Sequence, residues 1–127
     1  MPPLVIGVEA DGKARAYDWE QLQKKKLIVD ELGATPLLVL SADDGSSAFI
    51  YDRRVAGETL DFTRRDDVCI DTKTRAQWNQ FGQCVAGDMI HTQLKPVQSY
   101  QQFLRSWGEF HPHTDFYDFK TIDRKIA

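Results

Sequence analysis

The feature that most constrains the fold of this chain is a series of short apolar runs separated by turn-forming residues. Residues 4–9 (LVIGVE) and 14–17 (ARAY) flank an Asp-Gly pair, residues 27–32 and 36–41 flank GAT, and residues 47–55 and 59–65 flank AGE. Such spacing is typical of β-hairpins. Because these connections are too short for the crossovers that parallel strands require, the strands are expected to be antiparallel.

Two segments have the pattern of helices. In residues 18–26 (DWEQLQKKK), Asp18 is a suitable N-cap with Gln21 three residues later. Residues 99–110 (SYQQFLRSWGEF) begin with a Ser-x-x-Gln capping box and repeat apolar side chains at helical spacing. Trp107 and Phe103 are expected to pack this longer helix on the sheet, with Trp78 in the same core.

These elements predict a β-rich α+β domain of seven or eight short, hairpin-connected strands. The expected architecture is an antiparallel sheet or a partly open barrel, with a short N-terminal helix and one C-terminal amphipathic helix. At 127 residues the chain is expected to be a single domain, residues 1–127.

Charge and hydropathy exclude several classes of protein. The formal net charge is -3 and the pI is about 5.5, whereas nucleic acids and anionic membranes require a basic surface. No apolar run reaches about 18 residues, so no membrane insertion is expected. The first ten residues, MPPLVIGVEA, lack the basic region of a secretory signal.

The segment SADDGSS, residues 41–47, is the most site-like stretch and lies between two apolar runs. It lacks the alternating acids of a calcium loop. Neither Cys-x-x-Cys nor His-x-x-x-His spacing occurs elsewhere, so no metal or other cofactor is predicted. We predict an ordered connection between paired strands, in which Asp43, Asp44 and Ser46 bond the local backbone. A catalytic loop is the alternative.

The two cysteines leave three possibilities open. Cys69 and Cys84 can each be a small buried strand residue, which is the favoured interpretation, or together they can form a disulfide. The third possibility is a reactive thiol, for which the glycines around Cys84 in GQCVAG would allow close approach of a substrate.

Five segments in order carry a resemblance to a known family. They are VIGVEADGKARAY, IVDELGATPLLVL, FIYDRRVAGETLDFT, DTKTRAQWNQFGQCVAG and LKPVQSYQQFLRSW with the following EFHPHT. In this order and spacing they resemble a prokaryotic family known as domain-of-unknown-function number 3179, over residues 4–115. The resemblance implies no particular reaction. It implies a periplasmic or extracellular location, because many members carry signal peptides or lipoprotein anchors.

The same resemblance exposes a departure from the family pattern. Many members carry a His-Glu pair where this chain has Lys25 and Lys26, and a Cys-x-x-Cys-Gly-Ser stretch within residues 41–47. Those ligands would form a soft-metal or redox site. A lysine ammonium has no lone pair to replace an imidazole, so the resemblance implies a degenerate site. Lys25 and Lys26 are instead expected to face Asp43 and Asp44, as an ion-pair cluster or as the lining of a polar pocket.

The sequence therefore predicts a non-catalytic ligand-binding or accessory module, whose partner is a protein or a small polar ligand. The competing class is a hydrolase or transferase that uses the loop acids or Cys84. Convergence of Asp43, Asp44, Lys25 and Arg53 in one pocket would favour the enzyme. The candidate site residues are Lys25, Lys26, Asp43, Asp44, Ser46, Arg53, Trp78 and Cys84.

Overall fold

The computed structural model describes residues 3–119 and contains thirteen strands and two helices within them. The strands are β1 (Leu4–Ala10), β2 (Lys13–Asp18), β3 (Leu27–Leu32), β4 (Thr35–Ser41), β5 (Ala48–Asp52), β6 (Arg54–Val55), β7 (Glu58–Thr59), β8 (Phe62–Arg65), β9 (Val68–Asp71), β10 (Gln77–Trp78), β11 (Cys84–Ala86), β12 (Ser99–Phe103) and β13 (Asp115–Phe116). The helices are α1 (Trp19–Lys25) and α2 (Leu104–Phe110). The predicted β-rich α+β class is confirmed, although the strands are shorter and more numerous than expected.

The first sheet has the strand order β12-β1-β2-β13. The Asp11-Gly12 turn joins β1 to β2 with φ angles of 52° and 71°, as a tight two-residue hairpin requires. On its other edge β1 pairs antiparallel with β12, whereas β13 pairs parallel with β2. The Arg15 guanidinium fixes this last strand by bonding Asp115 at 2.6 Å. All but this short parallel pair follow the predicted antiparallel pairing.

The helix α1 follows β2 directly and begins as the sequence predicts. The Asp18 carboxylate accepts a hydrogen bond from the Gln21 N–H at 2.9 Å, which satisfies one free donor of the first turn. Leu22 is the buried residue of this helix. The helix ends at Lys25, and the C-cap residue Lys26, with φ of 73°, turns the chain into β3.

The strand β4 separates two hydrophobic clusters. It is the middle strand of the sheet β3-β4-β5, and its side chains alternate between the two faces. Leu38 and Leu40 pack in one cluster with Trp78, whereas Leu37 and Val39 pack in the other. Burial on both faces explains why residues 36–40 are a continuous apolar run rather than an alternating one.

The third predicted hairpin differs from the observed pairing. The AGE turn connects only the two-residue strands β6 and β7. The following strand β8 does not return to β5 but pairs with β9, in a sheet of order β11-β10-β9-β8. The free edge of β5 is instead occupied by residues 95–97, because the Asp52 N–H donates to the Lys95 carbonyl at 2.9 Å and the Val97 N–H donates to the Ile50 carbonyl at 2.8 Å.

The predicted C-terminal helix over residues 99–110 was wrong in its first half. Residues 99–103 form β12, and α2 begins only at Leu104, with Phe103 at its N-cap and no side-chain cap bond. A helix over residues 99–103 would leave the edge of β1 without a partner, whereas β12 pairs there with five residues of β1. Ser99 is therefore a strand residue and not a helix cap.

The expected shared core of Phe103, Trp107 and Trp78 is also corrected. Trp107 is fully buried against Val5 and Ala16, but the Phe103 side chain is 49% exposed. Trp78 belongs to a different cluster. Trp107 packs over Gly7 of β1, where any side chain would collide with the indole ring.

None of the helices within residues 3–119 has the length and apolar character that crossing a membrane requires.

Candidate functional site

The segment after β4 is a tightly bonded turn between β4 and β5. The Ala42 N–H donates to the Ser47 carbonyl at 2.8 Å, which closes the turn. One carboxylate oxygen of Asp44 accepts from the N–H groups of Ser46 and Ser47 at 2.8 and 3.0 Å, and the other accepts from the Ser47 hydroxyl at 3.0 Å. Gly45, with φ of 70°, supplies the left-handed conformation that the turn needs.

This geometry commits Asp44 and Ser46 to the local backbone. The hydrogen bonds from the Ser46 N–H and the Ser47 hydroxyl hold the pKa of Asp44 below its usual range. A catalytic acid would need the opposite shift, produced by burial or by a neighbouring negative charge. The arrangement matches the predicted ordered connection between antiparallel strands.

Within residues 3–119 the Asp43 side chain makes no hydrogen bond in this turn network, unlike the prediction for it. Its backbone N–H donates to the Gln80 side chain at 2.9 Å, which ties the turn to the segment after β10. Between these two segments lies an open cleft of about 370 Å³. The cleft is lined by Leu40, Ser41, Asp43, Arg64, Asp67, Val68, Cys69, Gln77, Trp78, Asn79, Gln80, Phe81 and Val85.

The inner wall of the cleft is Trp78, and it is held firmly. Its indole N–H donates to the fully buried Asp71 at 3.0 Å, and its ring meets Phe62 edge-on at 5.8 Å. Burial raises the pKa of Asp71, but hydrogen bonds from Trp78 and Thr74 outweigh that effect, and the net pKa is below the usual range. Asp71 is therefore a carboxylate that positions Trp78.

The charged rim comes from the β8–β9 turn. Arg64 donates from Nη2 to Asp67 at 2.8 Å. This hydrogen bond and the charge of Arg64 lower the pKa of Asp67, and Lys26 adds a smaller effect in the same direction. Within residues 3–119, Nε and Nη1 of Arg64 have no hydrogen-bond acceptor.

The remaining wall combines amides with exposed apolar side chains. The Gln80 side-chain oxygen accepts from Asp43, but its NH₂ group has no partner among the described residues. Phe81 and Val85 are 54% and 49% exposed, and Phe81 rests edge-on against Phe49 at 5.8 Å. The cleft thus offers free guanidinium and amide donors and an accessible apolar surface.

The structure brings together the two segments in which the family resemblance places ligands. The Ser41 N–H donates to the Lys26 carbonyl at 3.0 Å, so the end of α1 and the end of β4 are neighbours. The expected ion pairs are not formed: within residues 3–119 neither Lys25 nor Lys26 bridges to Asp43 or Asp44. Lys25 lies on a separate surface with Gln21, Lys24 and Phe119.

Arg53 lies outside the cleft and is bonded to neighbouring strands and loops. Its buried guanidinium donates to the carbonyls of Leu37, Leu60 and Asp30 at 2.9, 2.9 and 3.0 Å, and to the Asp61 carboxylate at 2.9 Å. Asp43, Asp44, Lys25 and Arg53 therefore do not converge in one pocket.

Both cysteines are buried core residues, as the favoured interpretation predicted. Trp78 pairs with Cys69 on one side and with Cys84 on the other. Two strand spacings separate the cysteines by about 9–10 Å, which is beyond the reach of a disulfide. The two thiols are free, and burial raises the pKa of Cys69 to about 12. The Cys84 thiol meets the Ala86 carbonyl at 3.5 Å.

Sequence reasoning missed Arg64, Asp67, Gln80 and Phe81. Arg64 and Asp67 belong to the stretch RRDD, which has the composition of an ordinary solvated surface. Gln80 and Phe81 lie in an irregular segment with no motif. The pairing of β8, β9 and β10 brings these two segments together, and the hydrogen bond between Asp43 and Gln80 joins them to the turn after β4. Across residues 3–119 no group of three or more His, Cys, Asp or Glu side chains could hold a metal ion.

Comparison with known proteins gives one match. A family model described as "Protein of unknown function (DUF3179)" matches residues 2–114, which confirms the resemblance. No curated protein and no solved structure matches the chain.

Proposed function

We propose that this chain, which belongs to the DUF3179 family, is a non-catalytic module that binds a small polar ligand in the cleft beside Trp78. The observation that carries the proposal is Arg64. Its Nη2 is anchored by Asp67, while Nε and Nη1 have no partner within residues 3–119. A positioned guanidinium with free N–H donors in a concave surface is a typical recognition element for carboxylate or carbonyl oxygens.

The residues around Arg64 restrict the class of ligand that fits the cleft. Asp43 and Asp67 carry negative charge at the same rim, which disfavours a ligand with several negative charges. Gln80 can donate its free NH₂ group, and Phe81 and Val85 can cover an apolar portion. The ligand class that fits is a small carboxylate or amide with a modest apolar group, such as an acylated amino acid.

The nucleophiles near the cleft support binding rather than catalysis. With its pKa raised to about 12, Cys69 holds a protonated thiol at neutral pH, and the thiolate is the nucleophilic form. Asp44 is occupied by its own turn. No histidine is among the residues that line the cleft, so the hydrolase or transferase alternative would have to use Asp43 or Asp67 as its general base, and Asp67 is already paired with Arg64.

Native mass spectrometry of the protein purified from its own host tests the proposal. We expect a co-purified small molecule that is lost in Arg64→Gln and retained in Arg105→Gln. Arg105 is a suitable control because its side chain is 93% exposed on α2, outside the cleft. Loss of the Arg64–Asp67 ion pair should change stability little, since exposed pairs contribute at most about 1 kcal/mol.

A titration with N-acetylglycine provides the second measurement. The amide resonances of residues 64, 80 and 81 should shift in the wild type and in Arg105→Gln, and the shifts should be absent in Arg64→Gln. Shifts elsewhere, or equal shifts in all three proteins, would contradict the proposed site. Conversion of the co-purified molecule during incubation would favour the enzyme alternative.

A further inference from the structure

The outer face of the β8–β9 hairpin carries a second hollow, opposite the cleft. Thr63 pairs with Ile70, and Arg64 pairs with Cys69. Since side chains alternate along a strand, Arg64 and Cys69 face the cleft while Thr63, Arg65 and Ile70 face the other side. The hollow on that side measures about 220 Å³ and is lined by Thr63, Arg65, Ile70, Thr72 and Arg75.

The two arginines of this hollow are unlike the other arginines of the described chain. Seven arginines occur within residues 3–119, and five of them form a salt bridge with an acid. The paired ones are Arg15, Arg53, Arg54, Arg64 and Arg105. Arg65 and Arg75, which have no acid partner among the described residues, are the two that line the same hollow.

The local fold keeps both guanidinium groups at this hollow. Arg65 lies two residues after Thr63 on the edge strand β8, so both side chains lie on one face. Arg75 follows a turn in which the Asp71 carboxylate accepts from the Thr74 N–H at 2.6 Å. The Arg75 N–H then donates to the Asp71 carbonyl at 3.0 Å, which fixes its backbone with φ of 65°.

We propose that this hollow binds a phosphate group, either as inorganic phosphate or as a phosphate monoester. Two guanidinium groups at one hollow repel each other unless an anion lies between them. A carboxylate needs only one guanidinium fork, whereas a phosphate dianion has enough oxygens for two forks and for the hydroxyl of Thr63. Ile70 forms a half-buried apolar floor. This site is independent of the cleft ligand.

The test is a titration of the labelled protein with inorganic phosphate, followed by NMR at about 0.15 M salt, where long-range surface attraction is screened. Saturable shifts are expected at the amides of residues 63, 65, 72 and 75. Arg65→Gln and Arg75→Gln should each weaken binding about tenfold or more, since each removes charge-assisted hydrogen bonds. Arg105→Gln should bind as the wild type does.

Three further arms identify the ligand chemistry. Arg65→Lys keeps the charge but loses the fork, and it should bind more weakly than the wild type. Acetate should bind more weakly than phosphate. If the natural ligand is a phosphate monoester, methyl phosphate should bind as tightly as inorganic phosphate does. If inorganic phosphate binds more tightly than methyl phosphate, the ligand is the free ion. Equal affinity for acetate and phosphate, or unsaturated shifts that persist in both glutamine variants, would overturn the proposal. Both arginines are exposed, so the variants should remain folded.

Discussion

Replacing Gly7 with alanine measures how closely β1 and α2 pack. A Cβ atom added at Gly7 would lie 2.5 Å from Cη2 of Trp107 and as close to Cε3 and Cζ3. Carbon atoms in ordinary contact are about 3.5–4.0 Å apart, so the indole would have to move by at least about 1 Å. Trp107 is fully buried against Val5 and Ala16 and has little room to do so.

The expected change in the free energy of unfolding on Gly7→Ala follows from two opposing effects. Overpacking of a core costs about 1–3 kcal/mol, whereas alanine in place of glycine stabilises by about 0.4–1 kcal/mol through the unfolded chain. Gly7→Ala should therefore lower the free energy of unfolding by about 1–2 kcal/mol. Trp107→Ala should lower it by about 3–5 kcal/mol. In the Trp107→Ala background the collision is removed, and Gly7→Ala should be neutral or slightly stabilising.

Urea denaturation is followed by far-UV circular dichroism for the wild type, the variants Gly7→Ala and Trp107→Ala, and the double variant. It gives the coupling energy between positions 7 and 107. Gly108→Ala is the matched control, because an added Cβ there meets no atom within 4 Å. It lies in α2 and should stabilise by up to about 1 kcal/mol. The reasoning would be refuted if Gly7→Ala carried the same penalty with and without the Trp107 ring.

Four other predictions concern stability and composition. Arg53→Lys should lower the free energy of unfolding by about 3 kcal/mol, because three backbone carbonyls lose donors in a buried site. If urea denaturation shows a decrease below about 1 kcal/mol, these hydrogen bonds do not stabilise the fold as described. Stability should fall as the pH drops below about 4, since Asp71 and Asp52 have pKa values below the usual range in the folded state; Asp71→Asn should make this acid transition shallower, and an unchanged profile would exclude Asp71 as a contributor. Cys69 and Cys84 should react with a thiol reagent only after unfolding; fast labelling of the native protein would contradict their burial. Elemental analysis of the purified protein should find no stoichiometric zinc, copper or iron, and about one ion per chain would overturn this expectation.

The sequence predicted those parts of the fold that depend on neighbouring residues. The Asp-Gly turn at Asp11 and the cap at Asp18 are local arrangements, and both were correctly placed. The strand β12 was missed because its apolar pattern fits a helix, and only the distant edge of β1 selects the extended form. The cleft was missed for the same reason, because Arg64 and Gln80 meet only after strand pairing.

The pairing of the first strands with the last ones has a consequence for synthesis of the chain. The β1–β2 hairpin leaves the ribosome before its partner strands do. Arg15 can bond Asp115 only after the ribosome has synthesised that residue, 100 residues later in the sequence. At about 5–20 residues per second, this interval is about 5–20 s. During it the edge of β1 that later receives β12 has unpaired backbone groups and can pair with another nascent chain. β-rich domains fold in milliseconds to seconds, so the rate of translation sets how long this edge is exposed.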